Sequence, residues 1–377
     1  MGNDLLNPSA DRDAPAQPGP LLVTGDDRLL DDLLRLCAVA GVEPQKICGA
    51  TDPPTPGLWQ SAPLILVGCD AVPWVEGAAR REGVLLIGRD LDDAQVWRNA
   101  MAVGADHVAF LPEAEPWLVD RIADAVESQG TPAFTIGVVG GRGGAGASTL
   151  AAALATHAAE AGRPAMLLDA DPLGGGLDLL LGAEQMPGLR WPDLAGAGGR
   201  VNATALAEAL PRPRQSAELA VLSWDRSDVL TIPPAAMRAV LGASRRRGGL
   251  VVIDLPRRFD EAAVEALGQC DLVLLVVPRE IRAVAAAARI AAAATMLLRD
   301  VRVVARGPAP SGLTPAEVAG SLALPLAGEL DPEPGLGPRL ESGRFPAGGT
   351  GPLARFCRTF LTALAPTLGP APDGGAA

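Results

Sequence analysis

Between Thr135 and Thr149 the chain reads TIGVVGGRGGAGAST, and an alanine-rich run follows. The apolar start reads as a strand, the glycine-packed middle as a loop, and the closing hydroxyl pair as the opening of a helix. This is the outline of a phosphate-binding loop, in which backbone N–H groups at a helix N-terminus hold an anion. Gly141 and Gly146 match the spacing G-x-x-x-x-G-K followed by Ser or Thr, and Ser148 supplies the hydroxyl. Position 147, where that pattern has its lysine, is alanine.

A chain of 377 residues with 48% hydrophobic content has room for two domains with packed cores. Its formal charge of −12 argues against broad nucleic-acid binding. No stretch approaches the ~20 continuous apolar residues of a membrane helix. The start, MGNDLLNPSADRD, lacks the basic-then-apolar order of a secretory signal. Cys37, Cys48, Cys69, Cys270 and Cys357 form no C-x-x-C pair and read as small buried residues. These features predict a cytoplasmic protein. Lys46 is the only lysine among 32 basic residues. That bias accounts for arginine where lysine is usual, but not for alanine.

Residues 1–20 are rich in Pro, Asp, Asn and Ala and read as a disordered tail. From Leu21, apolar runs alternate with helical patterns: LLVTG, the amphipathic DDRLLDDLLRLCAVAG, QKICGA, PLILVG, VLLIG, a helix around Asp92–Val103, HVAFLP, and a helix from Glu115 to Ser128. Such alternation predicts a parallel sheet with helices on both faces. Asp26–Asp27 after the first strand and the segment GADHVAFLP carry a resemblance to the CheY-like receiver fold over residues 21–128. That resemblance implies an aspartate closing the third strand and a lysine before the proline after the fifth. Gly68 and Leu111 stand there instead, and Asp70 is displaced by two residues. Without the carboxylate nucleophile and the neutralising cation, the domain reads as a pseudo-receiver used for docking. Phosphorylation of Asp70 is the rival reading.

Residues 129–133 read as a linker, 134–366 as a second domain, and 367–377 as a loose tail. The second domain carries the strands TIGVVG, PAMLLDAD, LAVLSW, GLVVIDLP, DLVLLVVP and VRVVA. An open parallel sheet binds ligands at the C-terminal ends of its strands, which is where the acidic residues of interest fall. In the loop, Gly141, Arg142, Gly143, Gly144, Ala145, Gly146 and Ala147 offer backbone to phosphate oxygens. Ser148 offers its hydroxyl to Mg²⁺, and Thr149 offers a further bond. Asp169 and Asp171 end one strand and Asp254 another. A carboxylate so placed can hold Mg²⁺, and a second can orient an attacking water. A tight strand-to-helix turn with helix-capping aspartates is the structural alternative.

The loop, LLDADPLGGGLDLLLG and VVIDLP together resemble the MinD/ParA superfamily of P-loop ATPases with a deviant Walker A motif. That motif, K-G-G-x-G-K followed by two hydroxyl residues, reads R-G-G-A-G-A-S-T here. With the pseudo-receiver in front, the whole chain is similar to the CpaE-like branch, including the actinobacterial septum-site-determining (Ssd-like) proteins. The resemblance implies an α/β protein of two doubly wound parallel-sheet domains that binds ATP and Mg²⁺. It places Arg142 at the signature lysine that reaches across a dimer, Asp171 at the water-positioning switch aspartate, and Asp254 at the Walker B aspartate. Asp169 joins Ser148 and Asp254 as an expected Mg²⁺ ligand, while Asp178 in LDLLLG is open to a structural or a functional role. Ala147 lacks the phosphate-binding lysine, and Ala305–Arg306 stands where the family often grips adenine with Asn-Arg.

The function expected on this basis is a nucleotide-dependent homodimer. It would act as a spatial regulator of septum placement in cell division, or of pilus or secretion-system assembly, with weak or no ATP hydrolysis. Its partners would be proteins of that machinery, at the inner face of the membrane, the septum or the pole. A non-hydrolysing adaptor with a vestigial site is the alternative, and a ParA-like DNA-segregation ATPase is disfavoured by the charge. The segment Ser244–Arg247 reads as a solvated turn rather than a DNA contact. The final helix, residues 352–368, reads as packed rather than as a membrane anchor, because only Arg355 and Arg358 lie on it.

Overall fold

The computed structural model describes residues 19–48, 52–90, 93, 95–127, 132–196, 201–214, 216–343, 345–346 and 349–368. The expected N-terminal tail up to residue 18, linker residues 129–131 and the tail from 369 lie outside these. The chain divides into two compact units, Met1–Glu127 and Ser128–Ala377.

The first unit is a five-stranded parallel sheet in the order β2-β1-β3-β4-β5. Its strands are β1 (Leu21–Val23), β2 (Lys46–Cys48), β3 (Ile65–Gly68), β4 (Val84–Gly88) and β5 (His107–Phe110). The helix Asp27–Val39 starts where Asp26 accepts hydrogen bonds from the Arg28 and Leu29 amides, the usual satisfaction of free N–H groups at a helix start. Its Leu29, Leu33 and Leu36 meet Leu118 and Ile122 of the helix Glu115–Glu127 over one sheet face. Trp59, Val72, Val96 and Val103 cover the other.

Asp70 curls back from the turn after β3. Its Oδ1 accepts from Thr24 Oγ1 at 2.9 Å and its Oδ2 from the Gly25 amide at 2.6 Å. A Cβ on Gly68 would lie 2.3 Å from Asp70 Oδ1, so the glycine at the strand end makes room for this carboxylate.

The second unit is a seven-stranded parallel sheet in the order β12-β11-β10-β6-β9-β7-β8. The strands are β6 (Phe134–Gly140), β7 (Ala165–Asp169), β8 (Leu219–Leu222), β9 (Leu250–Leu255), β10 (Leu272–Pro278), β11 (Val301–Arg306) and β12 (Leu326–Leu330). Both faces are covered, which is why the central strands read as unbroken apolar runs. Val139, Ile253, Val273 and Leu275 face a core completed by the helices Pro234–Arg246 and Ile281–Leu297. Val138, Val252, Leu274 and Val276 face the helices Ala147–Glu160 and Pro352–Leu368.

Two expectations are decided by this packing. The final helix buries Leu353, Phe356, Cys357, Phe360 and Leu364, so its apolar face is core. Ser244–Arg247 does not form a solvated turn: residues 244–246 close the helix Pro234–Arg246, and Arg247 is its C-cap. Arg245 bonds the Gln269 carbonyl and faces Asp271 at 3.6 Å, while Arg246 donates to the Val201 carbonyl at 2.6 Å. Among the described residues, no helix is long and apolar enough to cross a membrane.

Candidate functional site

The central strand β6 ends at the loop, between β9 and β10, so the loop stands over the C-terminal edge of the sheet. Its glycines answer separate demands. The Gly141 amide donates to the Val276 carbonyl at 2.8 Å, and a Cβ there would meet Ala287 at 2.8 Å. Close packing therefore requires glycine at that position. Gly146 caps the helix Ala147–Glu160 at φ 91°, in the left-handed region that side chains avoid. From there the first free amides of the helix open toward the cleft.

The three aspartates come to one sheet edge but not to one environment. Asp169 and Asp254 are register partners across β7 and β9. Asp169 is 1% exposed. Its Oδ2 accepts from Ser223 Oγ at 2.7 Å and from the Leu177 amide at 3.0 Å, and its Oδ1 from the Asp171 amide at 3.3 Å. It does not line the cleft. Both oxygens are used in fixing the segment after β7, which sets Asp169 apart from the expected Mg²⁺ ligands. Burial raises its pKa to about 6 against these hydrogen bonds. Asp178, two residues after Gly176, is buried and paired with Arg226 at 2.9 Å and Arg190 at 3.8 Å.

Asp171 and Asp254 both line the cleft. Asp254 is pushed up to about 8, first by burial, then by the charge of Asp169, with the Ser148 hydroxyl bond opposing. Two carboxyls at a desolvated edge, with a hydroxyl beside one of them, form a donor set that favours a cation. Among the described residues, no group of three or more His, Cys, Asp or Glu is arranged to hold a metal alone.

Three arginines line the cleft. Arg142 turns to Glu280, the N-cap of the helix Ile281–Leu297, with Nη2 to Oε1 at 2.7 Å. Arg306, at the end of β11, donates from Nη1 to the Gly144 and Ala145 carbonyls at 3.0 and 2.9 Å. It thus ties the loop to the sheet from the side where a base-gripping residue was expected. Arg257 follows Pro256 and has its guanidinium over Gly143, where a Cβ would lie 3.7 Å from Nη2. Ala147 is half-buried against the core and adds no charge.

The cleft holds about 630 Å³, which is of the size that takes a cofactor. One end is bounded by Leu330, Leu336 and Leu353 together with the polar Thr149, Arg306, Asp331 and Glu333. The other opens past Asp171 and Arg257 into a recess lined by Leu173, Leu230 and Phe259.

Over 357 residues, the chain is 40% identical to Rv3660c, an uncharacterised protein of Mycobacterium tuberculosis strain H37Rv, with 93% of this chain and 99% of the relative covered. The chain belongs to the Rv3660c-like family. Residues 23–133 match the model of the Rv3660c-like, CheY-like N-terminal domain. The ParA family ATPase of Chlorobium tepidum covers 61% of this Rv3660c-like chain and 98% of its own length, with a TM-score of 0.55 at 16% identity. The septum site-determining protein MinD of Pyrococcus horikoshii, solved with Mg-ADP, covers 64% and 99% with a TM-score of 0.54 at 18% identity. The second unit of this Rv3660c-like protein thus has the MinD/ParA fold.

Sequence reasoning missed Glu280, Arg257 and the Pro332–Leu340 segment along the cleft. The dipeptide Arg257–Arg258 directly after VVIDLP was a usable signal for one of them. The other two are brought in by tertiary contact and carry no local pattern.

Proposed function

We propose that this chain binds ATP with Mg²⁺ in the cleft above β6. Binding would favour a homodimer that acts as a spatial organiser of septum placement or of pilus or secretion-system assembly. The observation that supports this reading most is the joint lining of one cleft by the glycine loop, Ser148, Asp171 and Asp254. Loop amides would hold the phosphates. Ser148 and Asp254 would hold Mg²⁺, which neutralises phosphate charge when bound, and Asp171 would orient water. Arg142 is the residue that would cross to a partner copy once released from Glu280. Because Ala147 brings no cation, turnover would be weaker by about 10²–10³ than with a lysine there, the effect of deleting one charge-stabilising donor. ATP then serves chiefly to select the dimer, since a ligand that binds one state better shifts the population toward it. CpaE-like and Ssd-like roles at the inner face of the membrane, the septum or the pole follow from the same resemblance.

A second reading, an adaptor that does not hydrolyse, is favoured by Ala147 together with the engagement of Arg142 by Glu280. The test is Mg-ATP affinity, turnover and light-scattering mass of the full chain, beside Asp171→Ala and Ala147→Lys. Tight binding with a doubled mass supports the organiser even at slow turnover. Absence of binding by the wild type leaves the adaptor.

A further inference from the structure

The loop lacks its lysine, yet an anion lying along it with several phosphate groups needs a cation at its terminal end. Among the three arginines of the cleft, two are committed elsewhere. Arg142 is ion-paired to Glu280, and Arg306 spends its Nη1 on the Gly144 and Ala145 carbonyls. Arg257 makes no hydrogen bond or ion pair with any described residue, and its side chain is exposed. Its guanidinium nonetheless lies over Gly143, close enough that a Cβ there would stand 3.7 Å from Nη2 and 3.8 Å from Cζ. It borders both the cleft and the recess beside it, as does Asp171. The end of the cleft at Gly146, Thr149 and Leu336 shares no residue with that recess. A ligand that lies along the loop from Gly146, beside Arg306, to Gly143 meets Arg257 at its far end.

We propose that Arg257 is the cation that binds the terminal phosphate of a nucleoside triphosphate, taking over from the next strand end the charge that Ala147 does not supply. This assignment rests on the nucleotide reading above. The guanidinium presents a planar fork of donors that suits phosphate oxygens. The backbone favours it too. Arg257 sits three residues after Asp254, behind the buried Pro256, so its Cα follows the strand end while its exposed side chain reaches over the loop. A diphosphate, one group shorter, would gain little from it.

The experiment is binding of Mg-ATP and Mg-ADP to the full chain by titration calorimetry. The variants are Arg257→Ala, Arg257→Lys, Arg258→Ala, Ala147→Lys, and Arg257→Ala combined with Ala147→Lys. Arg257→Ala is expected to weaken ATP binding by about tenfold to a hundredfold, the loss of a charged hydrogen-bond donor. ADP binding should change by less than about threefold. Arg257→Lys should restore part of the loss, Ala147→Lys in the Arg257→Ala background should restore most of it, and Arg258→Ala should change neither nucleotide. Arg257 is exposed and unbonded, so circular dichroism should be the same for every variant at this position. Wild type that binds ATP while Arg257→Ala binds it equally well overturns the assignment alone, as does an equal loss for ATP and ADP. Wild type that binds neither nucleotide overturns the nucleotide reading itself.

Discussion

Asp254 stands beside Asp169 in the ladder between β7 and β9, and the charge on Asp169 helps hold the proton on Asp254. Burial is the larger cause, and Asp254 titrates at about 8 against an ordinary 3.8. Asp169 titrates at about 6 for the same leading reason. Both native carboxyls bind protons more tightly than in the unfolded chain. Their contribution to stability is therefore complete below pH ~4 and is lost as pH rises through the native values. Both act up to about pH 6, and Asp254 alone above it. Without divalent cations, Tm should fall between pH 5 and 8.5. Asp254→Asn should flatten the upper half of the fall, and Mg²⁺ should raise Tm more at pH 8.5 than at pH 6. A melting temperature that does not change with pH, measured by scanning calorimetry, would contradict this account.

The pair Arg142–Glu280 is short, but both side chains are well exposed, at 41% and 38%. Exposed pairs contribute at most about 1 kcal/mol, so neither Glu280→Ala nor Arg142→Ala should shift Tm by more than about 2–3 °C. Their effects should separate in solution mass with Mg-ATP. Glu280→Ala frees the guanidinium and should promote dimer, whereas Arg142→Ala should reduce it. Thermal melts and light scattering on the two variants read both quantities, and an equal response in mass would remove the assigned role of Arg142.

How far such features are legible in sequence depends on whether their cause is local. The central strands announce themselves, because burial on both faces forces continuous apolar runs such as Leu272–Pro278. The strand Leu326–Leu330 does not. It lies at the sheet edge with most of its residues partly exposed, so selection for apolar character is weak. Asp169 and Asp171 look alike in LLDADP, yet one is consumed by Ser223 and Leu177 and the other faces the cleft. Which is which depends on residues up to 54 positions away, and no spacing within the motif encodes it. Arg306 was visible as a departure from a base-gripping pair. Its true target, the backbone of the loop, became visible only when β11 was placed next to β10.

Gly146 and Gly144 both adopt positive φ, at 91° and 71°, but their surroundings differ. A Cβ on Gly144 meets nothing within 4 Å, while one on Gly146 would stand 3.0 Å from Arg306 Nη1. Gly144→Ala should therefore cost only the backbone strain, about 1–2 kcal/mol. Gly146→Ala adds displacement of the arginine that ties the loop to β11. Nucleotide affinity should accordingly drop far more for Gly146→Ala than for Gly144→Ala. Arg306→Ala should share part of the Gly146→Ala defect, because either change releases the loop. Titration calorimetry on the three variants checks the order, and equal losses at the two glycines would show that Arg306 does not matter to the loop.

The final helix offers the last test, because an amphipathic helix can serve as core or as membrane anchor. Here Phe356 and Phe360 stack with ring centroids 5.8 Å apart, and Arg163 donates to the Leu368 carbonyl at 2.8 Å across the second unit. Phe360 is 6% exposed and packs with Leu353, Cys357 and Leu364 in the core shared with the helix Ala147–Glu160. Truncating such a ring removes its burial and leaves a cavity, at a cost of about 3–5 kcal/mol. Phe360→Ala should thus lower Tm by roughly 10 °C and destabilise the very helix that carries the loop. An anchor helix would behave otherwise: Phe360→Ala would leave Tm unchanged and abolish sedimentation with anionic vesicles. Calorimetry and vesicle co-sedimentation on the same variant separate the two roles. A buried helix requires the stability loss with no vesicle-dependent change, since its apolar face is not available to lipid while the unit is folded.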